Sequence, residues 1–226
     1  MRVLMVGGGG REHALAWKID QSPHVDAVLA APGSDAIASI ATCFPQVKVA
    51  DADALIALAR SEEVGLVVIG PEDPLAAGVA DRLREAGIAA FGPSAAAARL
   101  ESSKSFAKRF MNRHGIPTAA FREFSDFAEA KRYVRDLGGP CVVKADGLAA
   151  GKGVAVCATS AEAEHALDEI MGDRRFGDAG AAVVIEELLE GDEVSYYAIT
   201  DGEHIATLAP AQDHKRALDE IGRAHV

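Results

Sequence analysis

Cysteine is scarce in this chain: Cys43, Cys141 and Cys157 are the only three in 226 residues, widely spaced and set beside apolar neighbours. That spacing argues against a disulfide framework or a zinc-binding cluster and predicts reduced, packed thiols. Long apolar runs are missing too. None approaches the ~20 residues of a membrane span, so no membrane partner is expected. Positive charge is in deficit, with 23 Lys and Arg against 34 Asp and Glu and a formal charge of −11. A nucleic-acid surface needs clustered cations to displace counterions, so no nucleic-acid partner is expected. Small anionic substrates remain open, because local lysines and backbone amides can bind them whatever the overall balance. No internal repeat or low-complexity segment is present.

Apolar residues make up 49% of the chain at a mean hydropathy near zero, a composition typical of soluble globular proteins. The length predicts two compact units, or one and part of another. Met1 to Val6 run straight into four glycines and read as a first strand rather than a signal peptide, which makes cytoplasm the default location.

Strand and helix patterns then alternate as far as residue 93, predicting a parallel, doubly wound sheet. Strands are expected at residues 2–6, 28–30, 66–69 and 88–91, and helices at 11–19, 52–60 and 76–86. In the first helix Ala14, Leu15 and Ile19 fall on one face. The glycine turn before it, residues 7–10, can aim helix N–H groups at a phosphate or carboxylate. As a dinucleotide fingerprint it fails, because G-x-G-x-x-G counted from Gly7 or Gly8 needs glycine where Glu12 or His13 stands. A Rossmann-like turn without a nicotinamide cofactor is the better reading. Ligands of such sheets bind off the carboxyl ends of the strands, so loops 7–10, 32–34 and 70–75 are expected to converge on one crevice. On spacing alone, residues 70–75 read as a proline-punctuated turn with solvated acids.

Ser94 is placed to cap a helix through Leu100, and a second helix is expected from Ser103 to His114, stopped by Gly115. Phe106 and Phe110 lie one turn apart on its apolar face. Lys104 sits in the first turn, where the helix dipole disfavours a cation unless an anion is near; Lys108 and Arg109 read equally well as solvated. From Ala119 the order is strand, helix (126–137), strand (141–144), glycine loop, strand (154–158) and helix (161–171), the last opened by Thr159 and Glu162 at capping-box spacing. Another buried strand is expected at 183–185, and Asp201-Gly202 signals a hairpin with a two-residue turn.

The stretch that organises the chain is residues 142–154, Val-Val-Lys-Ala-Asp-Gly-Leu-Ala-Ala-Gly-Lys-Gly-Val. Lys144, at the mouth of a buried strand, can point its ammonium at an anion. Gly147, Gly151 and Gly153 free the backbone to fold over a phosphate, with Lys152 at the far shoulder. The spacing is not that of a Walker loop. A surface hairpin loop with two solvated lysines fits this segment alone about as well.

Six segments in order change that balance: Gly-Gly-Gly-Arg-Glu-His-Ala-Leu (8–15), Gly-Pro-Glu-Asp-Pro-Leu (70–75), Ser-Lys-Ser-Phe (103–106), the 144–153 loop, Ile-Glu-Glu (185–187) and Gln-Asp-His-Lys-Arg (212–216). Together they resemble the phosphoribosylamine–glycine ligases, or GAR synthetases, of the ATP-grasp superfamily, over residues 1 to about 216. The resemblance implies an α/β protein: a Rossmann-like parallel sheet (1–93), a helical linker (94–118), an α+β ATP-grasp small lobe (119–190) and the start of a larger lobe (191–219). It further implies an enzyme that consumes ATP, glycine and 5-phosphoribosylamine, passing through a glycyl phosphate that the amine attacks.

By the same resemblance Lys104 and Lys144 hold ATP phosphates beneath the loop of Asp146, Gly147, Gly151, Lys152 and Gly153. Glu186 belongs to the nucleotide site, the Glu187 carbonyl and Leu189 N–H read the adenine edge, and Glu193 accepts from the ribose. On spacing alone, Glu186 and Glu187 are equally two exposed acids at a strand end. Gly8, Gly9, Gly10 and Glu72 help place phosphoribosylamine, with Asp213 and His214 near its phosphoribosyl end, and Asp213 and Lys215 are candidates for the reaction centre. Mg²⁺ or Mn²⁺ is the implied metal, its ligands expected beyond Val226. Residues 220–226 depart from the family pattern and are expected to be a non-native tail on an incomplete reading frame. The chain alone is therefore expected to be inactive and its apolar face prone to aggregation; the full-length protein is expected to be monomeric. The alternatives are another ATP-grasp carboxylase or ligase of nucleotide synthesis, or a non-catalytic nucleotide-binding module.

Overall fold

A computed structural model describes residues 1–149 and 152–212. It falls into two compact units, Met1–Leu188 and a second that begins at Leu189.

The first unit opens with β1 (Arg2–Gly7), α1 (Gly10–Asp20), β2 (Ala27–Pro32), β3 (Thr42–Cys43), α2 (Ala52–Ser61), β4 (Val64–Ile69), α3 (Glu72–Ala76), α4 (Val79–Glu85) and β5 (Ala90–Phe91). These strands form one sheet in the order β3-β2-β1-β4-β5, every pair parallel. β1 is buried on both faces: Leu4 and Val6 pack with α2 and α4, and Val3 and Met5 with Ala30, Ile37 and Ile19. Burial on both sides is why the strands read as continuous apolar runs. The order reverses at β1, which puts the ligand crevice of such a sheet at the carboxyl ends of β1 and β4.

Several local expectations need correction. Ala14 and Leu15 of α1 are exposed, and the buried positions are Glu12 and Ala16. Residues 70–75 are not simply a turn, since α3 starts at Glu72 behind an extended Pro71 with two acids in its first turn, a placement the helix dipole favours. Gly78, at φ +82°, breaks the expected 76–86 helix, so α4 begins only at Val79. β3 had no counterpart in the sequence pattern, being two residues held on the edge by β2.

α5 (Ala95–Ser102) and α6 (Lys104–His114) follow, capped by Ser94 on Ala97 N–H (3.2 Å) and Ser103 on Phe106 N–H (3.2 Å). Gly115 ends α6 in the left-handed region, at φ +66°. Then come β6 (Phe121–Phe124), α7 (Phe127–Leu137), β7 (Cys141–Ala145), β8 (Val154–Cys157), α8 (Ser160–Leu167) and β9 (Val183–Glu187), whose strands form an antiparallel sheet in the order β6-β9-β7-β8. Cys141, Val143, Ala145, Val183 and Ile185 share a core with Ala130 and Val134 of α7 and Ala163 and Leu167 of α8. All three thiols are free, and Cys141 lies directly opposite Cys157 across β7 and β8. The helix expected over 161–171 instead passes after Leu167 into a π-helical turn, Asp168–Gly172.

In the second unit β10 (Ala198–Thr200) and β11 (Ile205–Thr207) pair antiparallel. Thr200 faces Ile205, so the turn has four residues rather than two. The Asp201 carboxylate accepts from the N–H groups of Glu203 (2.9 Å) and His204 (2.7 Å), and these bonds hold its pKa down at about 2. No described helix is long and apolar enough to cross a membrane.

Candidate functional site

The alternation of β7 sets up the site. Residues that face the α7–α8 core leave Lys144 on the other side of the sheet, and the register, Val142 opposite Glu186 and Lys144 opposite Val184, puts Glu186 there too. Against this second face packs α6. Its N-terminus is fixed by Asp146, whose carboxylate accepts from Ser105 N–H (2.6 Å) and the Ser103 hydroxyl (3.2 Å) and whose carbonyl accepts from Lys104 N–H (2.9 Å). The anion that a first-turn lysine calls for is thus the protein's own Asp146.

Lysines from two different elements, α6 and β7, therefore stand near each other beside the glycine loop. Lys104 donates to the Gly147 carbonyl at 3.1 Å. Burial pushes its pKa below the usual lysine range, Asp146 and Glu101 pull it partly back, and the Lys144 ammonium adds to the lowering. Lys144 donates to Glu186 Oε2 at 2.8 Å.

Glu186 is not an exposed acid; it is 5% exposed. The same Oε2 also takes Lys108 at 2.9 Å, while Oε1 is buried with no hydrogen-bond partner. Lys108, 6% exposed, is not solvated as its sequence context suggested. The buried face of α6 is Ser105 and Lys108, three residues apart, and Phe106 and Phe110 are only half-buried. Glu187 points the other way, out of the core, where its carboxylate accepts from Ala120 N–H at 2.8 Å.

Gly147 and Gly153 are required for close packing. A Cβ on Gly147 would stand 2.8 Å from that of Ala179, and one on Gly153 2.6 Å from that of Ala149. Asp146 lies beside them, and Lys152 is exposed. Gly151, Asp213, His214 and Lys215 lie outside the described residues. Leu189 and Glu193 belong to the second unit, and both are exposed.

The three loops of the parallel sheet do converge. Gly33 N–H donates to Gly7 O (3.2 Å), Gly70 N–H to Val6 O (3.0 Å), and a Cβ on Gly8 would come within 2.5 Å of Gly33 O. What they converge on is a carboxylate: Glu12 is 6% exposed and its Oε2 accepts from Gly9 N–H at 2.7 Å. The N–H that the sequence offered to a phosphate is already engaged, while Gly10 is open to solvent. Arg11 donates to Gly70 O (3.2 Å) and to Glu72 (3.0 Å). Burial raises the Glu72 pKa, but its own backbone N–H and Arg11 outweigh that and leave it below the usual range.

A cavity of about 1190 Å³ runs between Arg11 and Glu72 on one side and Lys104, Lys152 and Gly153 on the other. Lys144 is not among its lining residues. Arg175, which sequence reasoning passed over, also lines it, ion-paired to Glu169 at 2.9 Å. Its one signal was the Arg-Arg-Phe-Gly run, where Arg174 takes a left-handed φ of +48°. Among the described residues no three His, Cys, Asp or Glu side chains stand together to hold a metal ion. The cations that line the cavity, Arg11, Lys104, Lys152 and Arg175, fit the phosphates of a nucleotide.

Residues 1–101 match the phosphoribosylglycinamide synthetase N domain and residues 102–222 its ATP-grasp (A) domain. Over 220 residues the chain is 54% identical to the phosphoribosylamine–glycine ligase of Xanthomonas axonopodis pv. citri, covering 97% of this chain and 51% of that one. It is also 54% identical over 220 residues to the trifunctional purine biosynthetic protein adenosine-3 of Gallus gallus, covering 96% and 22%. The crystal structure of the Thermotoga maritima phosphoribosylamine–glycine ligase superposes with a TM-score of 0.82 at 32% identity, covering 99% of this chain and 53% of that one. The chain spans about half the length of the bacterial ligases it matches. Since these matches run through both family domains and across the parallel sheet, α6 and the β7–β9 face alike, the chain belongs to the phosphoribosylglycinamide synthetase family.

Proposed function

We propose that this chain carries the ATP-gripping and amine-receiving part of a phosphoribosylamine–glycine ligase. In that reaction the glycine carboxylate takes the γ-phosphoryl group of ATP, and the amine of 5-phosphoribosylamine displaces phosphate to form the amide. The observation that supports the reading most directly is the Lys104 ammonium on the Gly147 carbonyl of the glycine loop, with the Lys144 ammonium near enough to lower its pKa. Phosphoryl transfer depends on positioning and charge neutralisation more than on a protein nucleophile, and two half-buried ammonium groups at one glycine loop supply both.

In this reading Lys104, Lys144 and Lys152 neutralise the phosphates, Gly147, Gly151 and Gly153 let the loop close over them, and Asp146 holds α6 in place. Glu186 belongs to the nucleotide site, the Glu187 carbonyl and Leu189 N–H read the adenine edge, and Glu193 accepts from the ribose. Glu72, which lines the cavity, and the turn of Gly8, Gly9 and Gly10 help place phosphoribosylamine; Asp213, His214 and Lys215 serve its phosphoribosyl end or the reaction centre. A divalent cation, Mg²⁺ or Mn²⁺, would add charge neutralisation at the phosphates. The full-length protein acts as a cytoplasmic monomer.

The test is to complete the chain with the second half of the Xanthomonas axonopodis ligase and follow ADP release. Release is expected only when glycine and phosphoribosylamine are both supplied. Release that bicarbonate supports in place of glycine assigns the chain to a carboxylase instead, and release indifferent to both overturns the reading.

A further inference from the structure

Lys108 has no part in the reading above, yet among the described residues it is the one lysine or arginine that is fully buried. Its ammonium meets Glu186 Oε2 (2.9 Å), the Thr118 hydroxyl (2.8 Å) and the Ala119 carbonyl (3.4 Å), and lies 5.6 Å from the centre of the Phe121 ring. Lys108 does not line the cavity. Burying a lysine is costly unless it is paired, and a cation kept at that depth calls for a reason.

The reason lies in the oxygen it shares. A lone Lys144–Glu186 pair would be neutral, and turning Lys144 away would strand a buried carboxylate without a partner. Lys144 would then be held back from the phosphates. A second ammonium on the same oxygen removes that obstacle: the three groups sum to one positive charge, and Glu186 keeps a partner when Lys144 leaves. Resting on the reading of Lys144 as a phosphate-binding group, we propose that Lys108 is a positioning residue, a resident counter-charge for Glu186 that frees Lys144 to engage the phosphates of a nucleoside triphosphate. Lys144, bonded to Glu186 and not among the residues that line the cavity, is in the held position.

The experiment measures equilibrium binding of ATP, inorganic tripolyphosphate and adenosine to the 226-residue chain and its variants, with thermal unfolding recorded for each. Lys108→Met is expected to weaken ATP and tripolyphosphate by at least about tenfold, the scale of one unit charge acting across several ångströms of protein, and to leave adenosine unchanged. Lys108→Arg keeps the charge and is expected to retain most of the affinity. Adding Glu186→Gln to Lys108→Met is expected to restore tripolyphosphate binding, since nothing then holds Lys144 back. Uniform weakening across all three ligands, or unchanged tripolyphosphate binding in a folded Lys108→Met chain, overturns the proposal.

Glu186→Gln alone reaches the same state by another route and serves where Lys108→Met fails to fold; it is expected to bind tripolyphosphate at least as tightly as the wild type, and weaker binding overturns the proposal. Lys144→Met separates the two readings. If it leaves ATP and tripolyphosphate unchanged, the phosphate role of Lys144 falls; if it weakens them while Lys108→Met does not, only the role of Lys108 falls.

Discussion

At residues 7–10 and again at 147–153 the backbone runs through glycine for the same steric reason, since a Cβ would strike the Gly33 carbonyl at Gly8 and the Ala149 side chain at Gly153. The charges around the two turns differ. At the first, Glu12 takes the Gly9 N–H and Arg11 spans Gly70 O and Glu72, so each charged group already has its partner. At the second, Lys104 is buried enough to depress its pKa, Glu186 leaves one oxygen without a bond, and Lys144 shares the other with Lys108. The charged groups of the first turn are paired within the protein. The second is stable but carries unmet electrostatic demand, and such demand in a cleft marks a binding site better than glycine content does.

The largest effect expected from that difference is on stability. Gly8→Ala places a methyl 2.5 Å from a backbone oxygen that cannot move aside, and is expected to cost roughly 2–4 kcal/mol in denaturant unfolding. Gly10→Ala, in the first turn of α1 with nothing within 4 Å of its Cβ, is expected to be neutral or to gain up to about 1 kcal/mol. If Gly8→Ala keeps full stability and instead loses phosphoribosylamine-dependent turnover, the first turn is a ligand site and the contrast breaks.

Next comes binding. Lys144→Met is expected to weaken ATP by about 2 kcal/mol, the worth of one charge-assisted hydrogen bond. Arg11→Met removes an exposed surface pair and is expected to change ATP affinity by less than about 1 kcal/mol. Calorimetric titration of both variants checks this, and equal losses would erase the distinction between the turns.

Much of this contrast was legible in the sequence, for reasons that can be named. The parallel sheet showed because strands buried on both faces are unbroken apolar runs, and the helix starts showed because Ser94, Ser103, Asp126 and Thr159 each accept the N–H their spacing offers. Lys104 drew notice as a cation where a dipole opposes it, and an anion does stand beside it. What stayed hidden depends on groups far apart in the chain. Periodicity turns Leu15 of α1 inward, but Glu12 is buried instead because glycines from two other loops make room for its carboxylate. Lys108 looked solvated because its partner Glu186 lies 78 positions further on, on a strand whose register a single sequence does not supply. The two-residue turn at Asp201 failed because that side chain gathers two N–H groups and stabilises a wider loop.

The third prediction concerns proton linkage at the second turn. Burial lowers the Lys104 pKa from its ordinary 10.5, so between the folded value and 10.5 the unfolded chain holds a proton that the folded chain has lost. Stability contributed by this group therefore rises with pH through that window. Triphosphate affinity runs the other way, because the anion needs the ammonium form, and binding there must take up a proton. Titrations in two alkaline buffers of different ionisation enthalpy are expected to show net uptake that disappears in Lys104→Met. No uptake in the wild type would place Lys104 outside the phosphate site.

The smallest effect tests the claim that the first turn does not respond to a ligand at the second. Cys43 is half-buried, with its Sγ where a Cβ on Gly33 would be, so its reactivity reports on the junction of Gly33 with Gly7 and Gly8. Cys141 and Cys157 sit in the other core; burial pushes both thiols up, Cys157 to about 11 with help from Cys141 and Glu162. A thiol reagent at pH 8 is thus expected to modify Cys43 and spare the other two, because the thiolate is the reacting form. With saturating ATP the Cys43 rate is expected to stay within about twofold, since the Gly9 N–H is already held by Glu12 and gives a nucleotide no differential contact there. A larger change would mean that the Glu12–Gly9 bond opens when the nucleotide binds, and the first turn would then be half of one coupled site rather than a finished support for it.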